Sequence, residues 1–368
     1  MKVFKMKYLF IFSFILFTVV SKAQQSDSFA LQLYSEVYGS IIPNQPFDNH
    51  RPAYHYNYTK ANRLGMNMAL ARVHFSTQRL RTNFGLMAGD YATANLAAEE
   101  PWARAVFEAN AGIKLSNKKE LWLDAGVMPS HIGFESAIGR DNWAATRSIV
   151  ADNSPYYETG LRFSFQPNAK WYMAALALTG WQRITFAQEK KHPSFGTQIT
   201  FKPSSKFSIN HSSFAGKAPY TFASVNRYYS NLHTTIQLHK NLAMFICWDI
   251  GIEYKPNAFR KNATWNAWNA QVQYKPSGSK WQFNARYERF IDRNTILFEL
   301  TEQIYHQFNV HHTSINIDRL LGKGFLLRAE ANYQSSPYPI FRKDTRLTHR
   351  QFSAFLIASY NFQYSKKR

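Results

Sequence analysis

Over much of its length the chain alternates apolar and polar side chains with a period of two. Trp281, Phe283, Ala285 and Tyr287 are apolar, while Gln282, Asn284, Arg286 and Glu288 between them are polar. Phe325, Leu327, Ala329, Ala331 and Tyr333 repeat the pattern against Leu326, Arg328, Glu330 and Asn332. In the last run Phe352, Ala354, Leu356, Ala358, Tyr360, Phe362 and Tyr364 share one parity. Successive side chains of a strand point to opposite faces, so each run reads as a strand with one apolar and one polar face. Strands of soluble sandwiches are typically about 5–6 residues long. The runs here reach 9–13 residues, the length at which a tilted strand crosses a bilayer.

The connections between the runs sort into two kinds that take turns. Short ones fall at 76–79, 117–120, 166–170, 202–206, 239–241, 275–280 and 318–324, several of them carrying Pro, Ser, Asn or Gly. These residues favour turns for backbone reasons. Long ones run over 40–61, 89–105, 129–156, 181–194, 213–228, 255–262, 290–304 and 334–348. Seven short and eight long connections join sixteen strands, with fourteen as the fallback count. This arrangement predicts an all-β protein, a closed antiparallel transmembrane β-barrel with short periplasmic turns and long outer loops. Closure follows from the solvent, because in hydrocarbon every backbone N–H and C=O must be paired internally. Sixteen strands are expected to leave a water-filled lumen rather than a packed core.

Composition removes the competing classes. Aromatic residues are 16% of the chain, against disorder. One cysteine, Cys247, excludes a disulfide scaffold. Met1 to Ala23 reads as a cleaved secretory signal: Lys2, Lys5 and Lys7, then the apolar run Tyr8 to Val20, then Ser21-Lys22-Ala23. Beyond residue 20 no apolar stretch is long enough for a spanning helix. The charge of +21 falls to +17 once the four lysines of the signal are removed. Export makes a nucleic-acid partner a poor explanation of that charge, and outer-membrane lipid and lipopolysaccharide a better one. Trp122, Trp171, Phe207 and Trp281 follow short turns, and Phe165, Phe201 and Tyr274 precede them, as an interfacial aromatic girdle would.

Several stretches of the first half carry a family likeness. They are Asn49-His50-Arg51-Pro52 with Tyr56-Asn57, then Leu86-Met87-Ala88-Gly89 with Tyr91, then Glu108-Ala109-Asn110-Ala111-Gly112. Asp124-Ala125-Gly126 leads into Pro129 to Ala137 and on to Asn153-Ser154-Pro155-Tyr156-Tyr157-Glu158. This sequence resembles the β-barrel porin-2 (OmpL-like) family of Gram-negative outer membranes, abundant in Bacteroidota. The resemblance implies a porin-type barrel and brings no catalytic residues and no settled substrate.

The polar parity lines the lumen and decides what passes. It carries Arg81, Glu108, Lys114, Arg162, Arg286, Glu288, Arg328 and Glu330, five basic to three acidic. An excess of positive charge favours anions, unless the charges pair across strands and cancel. The segment 129–156 is too long for an ordinary hairpin loop. It mixes His131, Glu135, Arg140, Asp141, Arg147 and Asp152 with Phe134, Trp143 and Ile149, which suits a loop packed into the lumen as a constriction. A self-packed outer cap is the alternative. Asn210-His211-Ser212-Ser213 resembles the motif of outer-membrane phospholipase, with Asn226 available to orient the histidine, but Phe214 stands where that family has Asn. His311 and His312 point to opposite faces of a strand and offer no metal site. The expected function is passive diffusion of small hydrophilic solutes across the outer membrane, without cofactor, metal or catalysis and with a weak anion preference. A plugged structural or adhesin-type barrel and, further off, a lipase-like enzyme are the alternatives. A homo-oligomer stays open.

Overall fold

The computed structural model of the chain describes residues 27–44, 49–185, 192–218, 225–254, 262–297 and 307–367. The expected signal segment lies outside the described residues. Sixteen antiparallel strands close into a barrel. They are β1 (Ser28–Ile41), β2 (Leu64–Ser76), β3 (Leu80–Ala88), β4 (Val106–Lys114), β5 (Glu120–Pro129), β6 (Tyr157–Asn168), β7 (Trp171–Leu178) and β8 (Ser194–Ser204). Then come β9 (Phe207–Ala218), β10 (Val225–His239), β11 (Leu242–Tyr254), β12 (Asn262–Tyr274), β13 (Trp281–Asp292), β14 (Phe308–Leu320) and β15 (Phe325–Ser335). A small hairpin, β16 (Phe341–Lys343) and β17 (Arg346–Thr348), precedes the last barrel strand, β18 (Arg350–Lys367). Each barrel strand pairs with its neighbour in sequence, and β18 closes on β1 from Ser28 opposite Lys367 to Ile41 opposite Ala354. Among the described residues no helix is long and apolar enough to cross a membrane.

The short turns are fastened by the residue types the sequence supplies. Thr77 Oγ1 accepts hydrogen bonds from the Arg79 and Leu80 amides at 3.2 and 3.0 Å. Ser116 Oγ does the same for Lys118 and Lys119, and Asn168 Oδ1 for Lys170 and Trp171. A side-chain oxygen that takes the amides two and three residues on satisfies peptide groups that a tight turn would leave unpaired. The long loops join the other barrel end. Two of the strands extend further into the expected loops than the pattern suggested: β9 runs to Ala218 and β10 starts at Val225, inside 213–228.

The parity holds through the wall. Leu33, Val37, Phe84, Phe163, Trp248, Phe283, Ile317, Leu356 and Phe362 are exposed on the outside, where lipid is their solvent. Trp171 and Phe201 pair across strands near the short turns with ring centroids 4.3 Å apart, and Trp281 lies under the Arg319 guanidinium. Trp122 departs from the expected girdle. It shares parity with Asp124, which faces inward, and its ring lies 4.3 Å from the Arg81 guanidinium carbon. A Trp beside a turn is not informative by position alone; its parity relative to a charged neighbour is.

Candidate functional site

Inside the barrel the loops and the wall are fitted to each other. The loop between β5 and β6 (130–156, here L3) enters the lumen. Near its start His131 is fully enclosed: Nδ1 donates to Glu158 Oε2 at 2.7 Å and Nε2 to the Ser213 carbonyl at 2.8 Å. Both partners are acceptors, so the ring carries both protons. Burial opposes that charge, but the Glu158 carboxylate and the Ser213 carbonyl outweigh it, and the ring is held above its ordinary value. Gly196 makes the seat, since a Cβ there would stand 2.7 Å from the His131 ring. Phe134 stacks on Phe245 with centroids 3.9 Å apart, and Trp143 packs edge-on against Phe134.

Further along, irregular backbone must find partners for its peptide groups, and the wall of β13, β14 and β15 supplies them. Arg328 donates to the carbonyls of Gly139, Asn142 and Trp143, each at 2.9 Å, and pairs with Asp318 at 2.7 Å. Arg286 donates to the Thr146 carbonyl at 2.8 Å. Glu330 Oε2 accepts from the Thr146 amide at 2.5 Å. The Glu288 carboxylate accepts from the Ile149 and Val150 amides at 3.0 and 3.3 Å, at the start of a short helix (Ile149–Asp152), and also from His312 at 2.5 Å. Arg286, Glu288, Arg328 and Glu330 therefore face inward, as their parity requires, but they are covered by L3 and do not border open water. Their charges are spent on the loop's backbone.

The remaining L3 candidates, Asp141 apart, hold the loop to itself, to β12, to the turn between β14 and β15 and to the loop between β1 and β2. Glu135 accepts from the Ser148 amide and from Gln271. Arg140 donates to the Gly324 carbonyl, at a short turn, so L3 spans most of the barrel's depth. Arg147 donates to the Ala137 carbonyl at 2.7 Å and lies against the Tyr58 ring. Asp141 is exposed. Asp152 receives Asn57 Nδ2 at 2.7 Å, and His55 Nδ1 stands 3.4 Å away. Burial is the larger influence on Asp152 and carries its pKa to about 7, against the Asn57 hydrogen bond and Arg51. Asn57 and His55 belong to the loop between β1 and β2, which thus also reaches inward. Its Tyr58, together with Tyr34 and Asn67, donates to the carboxylate of Glu36 on β1. Asn67 is the extra residue of a β-bulge between Met66 and Met68, and a bulge re-aims a side chain in this way.

The wall of β2 to β6 is different. Arg81, Asp124 and Arg162 lie in one row of the barrel, with Gly112 between the first two. Arg81 Nε and Nη2 donate to the two Asp124 oxygens, each at 2.6 Å, and Arg162 Nε lies 3.3 Å from Asp124 Oδ2. Four residues along β3, Arg72, Gly85 and Glu108 repeat the arrangement, with the charges 3.5 Å apart. Lys114 pairs with Glu120 and lies near Trp122. In the two rows the bases are open and the acids are not: Arg72, Arg81 and Arg162 expose 35%, 27% and 22% of their side chains, whereas Glu108 and Asp124 expose 5% and 1%.

Glu36, Arg72, Asp124, Glu158, Arg227, Asp249, Glu253, Asp292 and Asp318 also face inward, and the sequence reading omitted them. Asp318 lies at the edge of the turn expected at 318–324, and Asp124 in the Asp124-Ala125-Gly126 stretch; continuing the parity of Arg328 and Arg162 across the paired strands finds both. The phospholipase-like residues are not joined. His211 Nε2 lies 3.0 Å from Ser230 Oγ, and Ser213 Oγ lies 2.6 Å from Thr197 Oγ1, on the outer face of β8 to β10. Cys247 is buried on the inner wall, its Sγ 3.3 Å from Asp249 Oδ1. His311 contacts Tyr287 outside while His312 lies inside.

A closed sixteen-strand barrel with an apolar exterior and a charged, loop-lined interior defines a porin-type channel of the outer membrane. The chain belongs to the family described as "Putative beta-barrel porin-2, OmpL-like", which it matches over residues 28–362. It is thus an outer-membrane porin through which small hydrophilic solutes diffuse passively. No curated protein matches its sequence. Among solved structures it is similar to the outer membrane channel DcaP of Acinetobacter baumannii, at a TM-score of 0.60 and 11% identity, covering 93% of this chain and 99% of that one. It is also similar to an anion-selective porin from Comamonas acidovorans, at a TM-score of 0.57 and 10% identity over 92% and 100% of the two chains. The trimer form of OmpT from Vibrio cholerae aligns at a TM-score of 0.56 and 11% identity over 91% and 99%. At such identities the likeness concerns the fold.

Proposed function

We propose that L3 is the constriction of this porin and that solutes pass along the β2 to β6 wall, with a preference for small anions. The observation that carries the reading is the exposure of Arg72, Arg81 and Arg162 above buried Glu108 and Asp124. A charge half-open to a narrow aqueous path acts on a passing ion, whereas one sealed by protein is already neutralised by its partners. On this reading residues 1–23 direct export and are removed, and surface lysines and arginines of the loops meet lipopolysaccharide. Homo-oligomerisation is compatible with it. The test is the reversal potential of the refolded protein in planar bilayers under a KCl gradient. A potential of the sign set by chloride supports the proposal; one set by potassium refutes the anion preference. Absence of any conductance would favour a barrel plugged by L3, a reading that the extent of the loop's burial recommends as second.

A further inference from the structure

We infer that Arg81 and Arg162, held over Asp124 beside Trp122, form a binding subsite for an oxyanion, a carboxylate or phosphate group carried by the passing solute. The inference rests on the porin reading and specifies what its basic wall recognises. Gly112 stands between Arg81 and Asp124 in the row, and a Cβ there would come 2.2 Å from Asp124 Oδ1 and 3.2 Å from Arg81 Cγ. Its absence lets the Arg81 side chain lie across β4 and fork onto Asp124 at 2.6 Å on both sides. Trp122 backs the guanidinium at 4.3 Å and fixes its plane. Arg162 meets the same oxygen, Oδ2, through Nε, so the two guanidinium groups are neighbours.

The anchoring uses Nε and Nη2 of Arg81 and Nε of Arg162. Among the described residues no hydrogen bond engages Nη1 of Arg81 or either terminal nitrogen of Arg162. The Arg81 and Arg162 side chains are 27% and 22% exposed. Two cations over one buried carboxylate leave about one unit of positive charge uncompensated, in a place where water is partly excluded. Planar N–H donors held in a fixed plane match the paired oxygens of a carboxylate or phosphate, whereas a halide gains only the charge. The row of Arg72, Gly85 and Glu108 is built alike about 13 Å along the strand, by the usual rise per residue. It offers the released anion a second stop.

The test uses the full refolded chain in planar bilayers bathed in KCl, with potassium acetate or potassium phosphate added to one side. Folding of each variant is checked by its heat-modifiable migration on gels. The wild type should show partial block of the chloride current by one or both oxyanions, and the stronger blocker identifies the preferred source. Arg81→Lys with Arg162→Lys keeps the charge and removes the fork. It should weaken the oxyanion block roughly tenfold, the loss expected when planar paired donors become point charges. Equal block in wild type and this variant would overturn the subsite while leaving the porin intact. A wild type without conductance would overturn the porin reading itself, and the subsite with it. Should the lysine variant fail to fold, Asp124→Asn decides. As a positioning residue Asp124 should, when neutralised, raise chloride preference through the added net charge yet weaken the oxyanion block through the loosened forks. Movement of both quantities in the same direction would refute the assignment.

Discussion

The wall formed by β13, β14 and β15 and the wall formed by β2 to β6 carry the same kinds of residue on the same parity, yet they do different work. On the first, Arg286, Glu288, Arg328 and Glu330 are sealed beneath L3, and most of their hydrogen-bonding groups meet loop peptide groups or the neighbouring wall residues Asp318, His312 and Asn332. On the second, arginines reach over glycines to buried acids and stay part-exposed themselves. The comparison teaches that a charge on the inner wall of a wide barrel either replaces the water that a non-repetitive loop has lost or faces the water itself. A buried ion pair is costly to desolvate and returns that cost only if its remaining donors and acceptors are satisfied. L3 supplies them in return for its own satisfaction. Loop and wall therefore fold as one unit.

The sharpest way to break this comparison is to remove the loop. Deleting Ile132 to Ser148 should return the sealed wall to water and raise single-channel conductance severalfold while the barrel still assembles. Conductance within scatter of the wild type would mean that L3 does not restrict the path.

Two adjacent substitutions on β15 separate outside from inside. Leu327→Arg puts a charge into lipid at about 2–4 kcal/mol near the bilayer midplane, and should deplete the folded, heat-modifiable species. Arg328→Leu strands Asp318 and three loop carbonyls, a penalty of about 3–5 kcal/mol for a broken buried pair. That penalty falls on the docking of L3, so the barrel should assemble and show larger, noisier openings. Indistinguishable phenotypes would contradict the parity assignment.

A smaller effect belongs to the open wall. Gly112→Ala drives a methyl against Asp124 and Arg81 and should lower anion preference with conductance nearly unchanged, as read from the reversal potential. The same change at Gly85 should be milder, because a Cβ there meets Arg72 Cβ at 3.0 Å and Glu108 Cγ at 3.5 Å. Loss of conductance without loss of preference would place the solute path elsewhere.

The least effect comes from proton activity. His131 is held above its ordinary value, so the stability its proton contributes is present at low pH and is lost as pH rises through the raised value. Asp152 is raised to about 7, so its burial costs progressively more as pH climbs from 3.8 to about 7. Both signs agree: L3 should be more tightly docked near about pH 6 than near about pH 8, within the range where histidine switches. His55, beside Asp152, is held well below its ordinary value by burial and by Arg51, and stays neutral over that window. Open-channel noise should rise with pH, and His131→Gln should flatten the rise. Noise independent of pH would remove the two groups from control of the loop.

The barrel is legible in the chain alone. Side-chain alternation from Phe352 to Tyr364, turn oxygens such as Ser116 and Asn168, and the alternation of short and long connections are local properties. Lipid enforces them on every strand in the same way. The segment 129–156 also stands out by length. Which inward charges meet water is settled by the closed barrel and its loops. Arg81 and Arg328 look equivalent in the chain, each an arginine on the polar parity of a spanning strand. One faces a glycine and an acid two strands away, and the other faces the carbonyls of Gly139, Asn142 and Trp143, nearly two hundred residues earlier. Periodicity reports which face a side chain takes and carries no information about what a distant loop brings to that face. That pairing arises only when the barrel closes and L3 must find partners for its peptide groups.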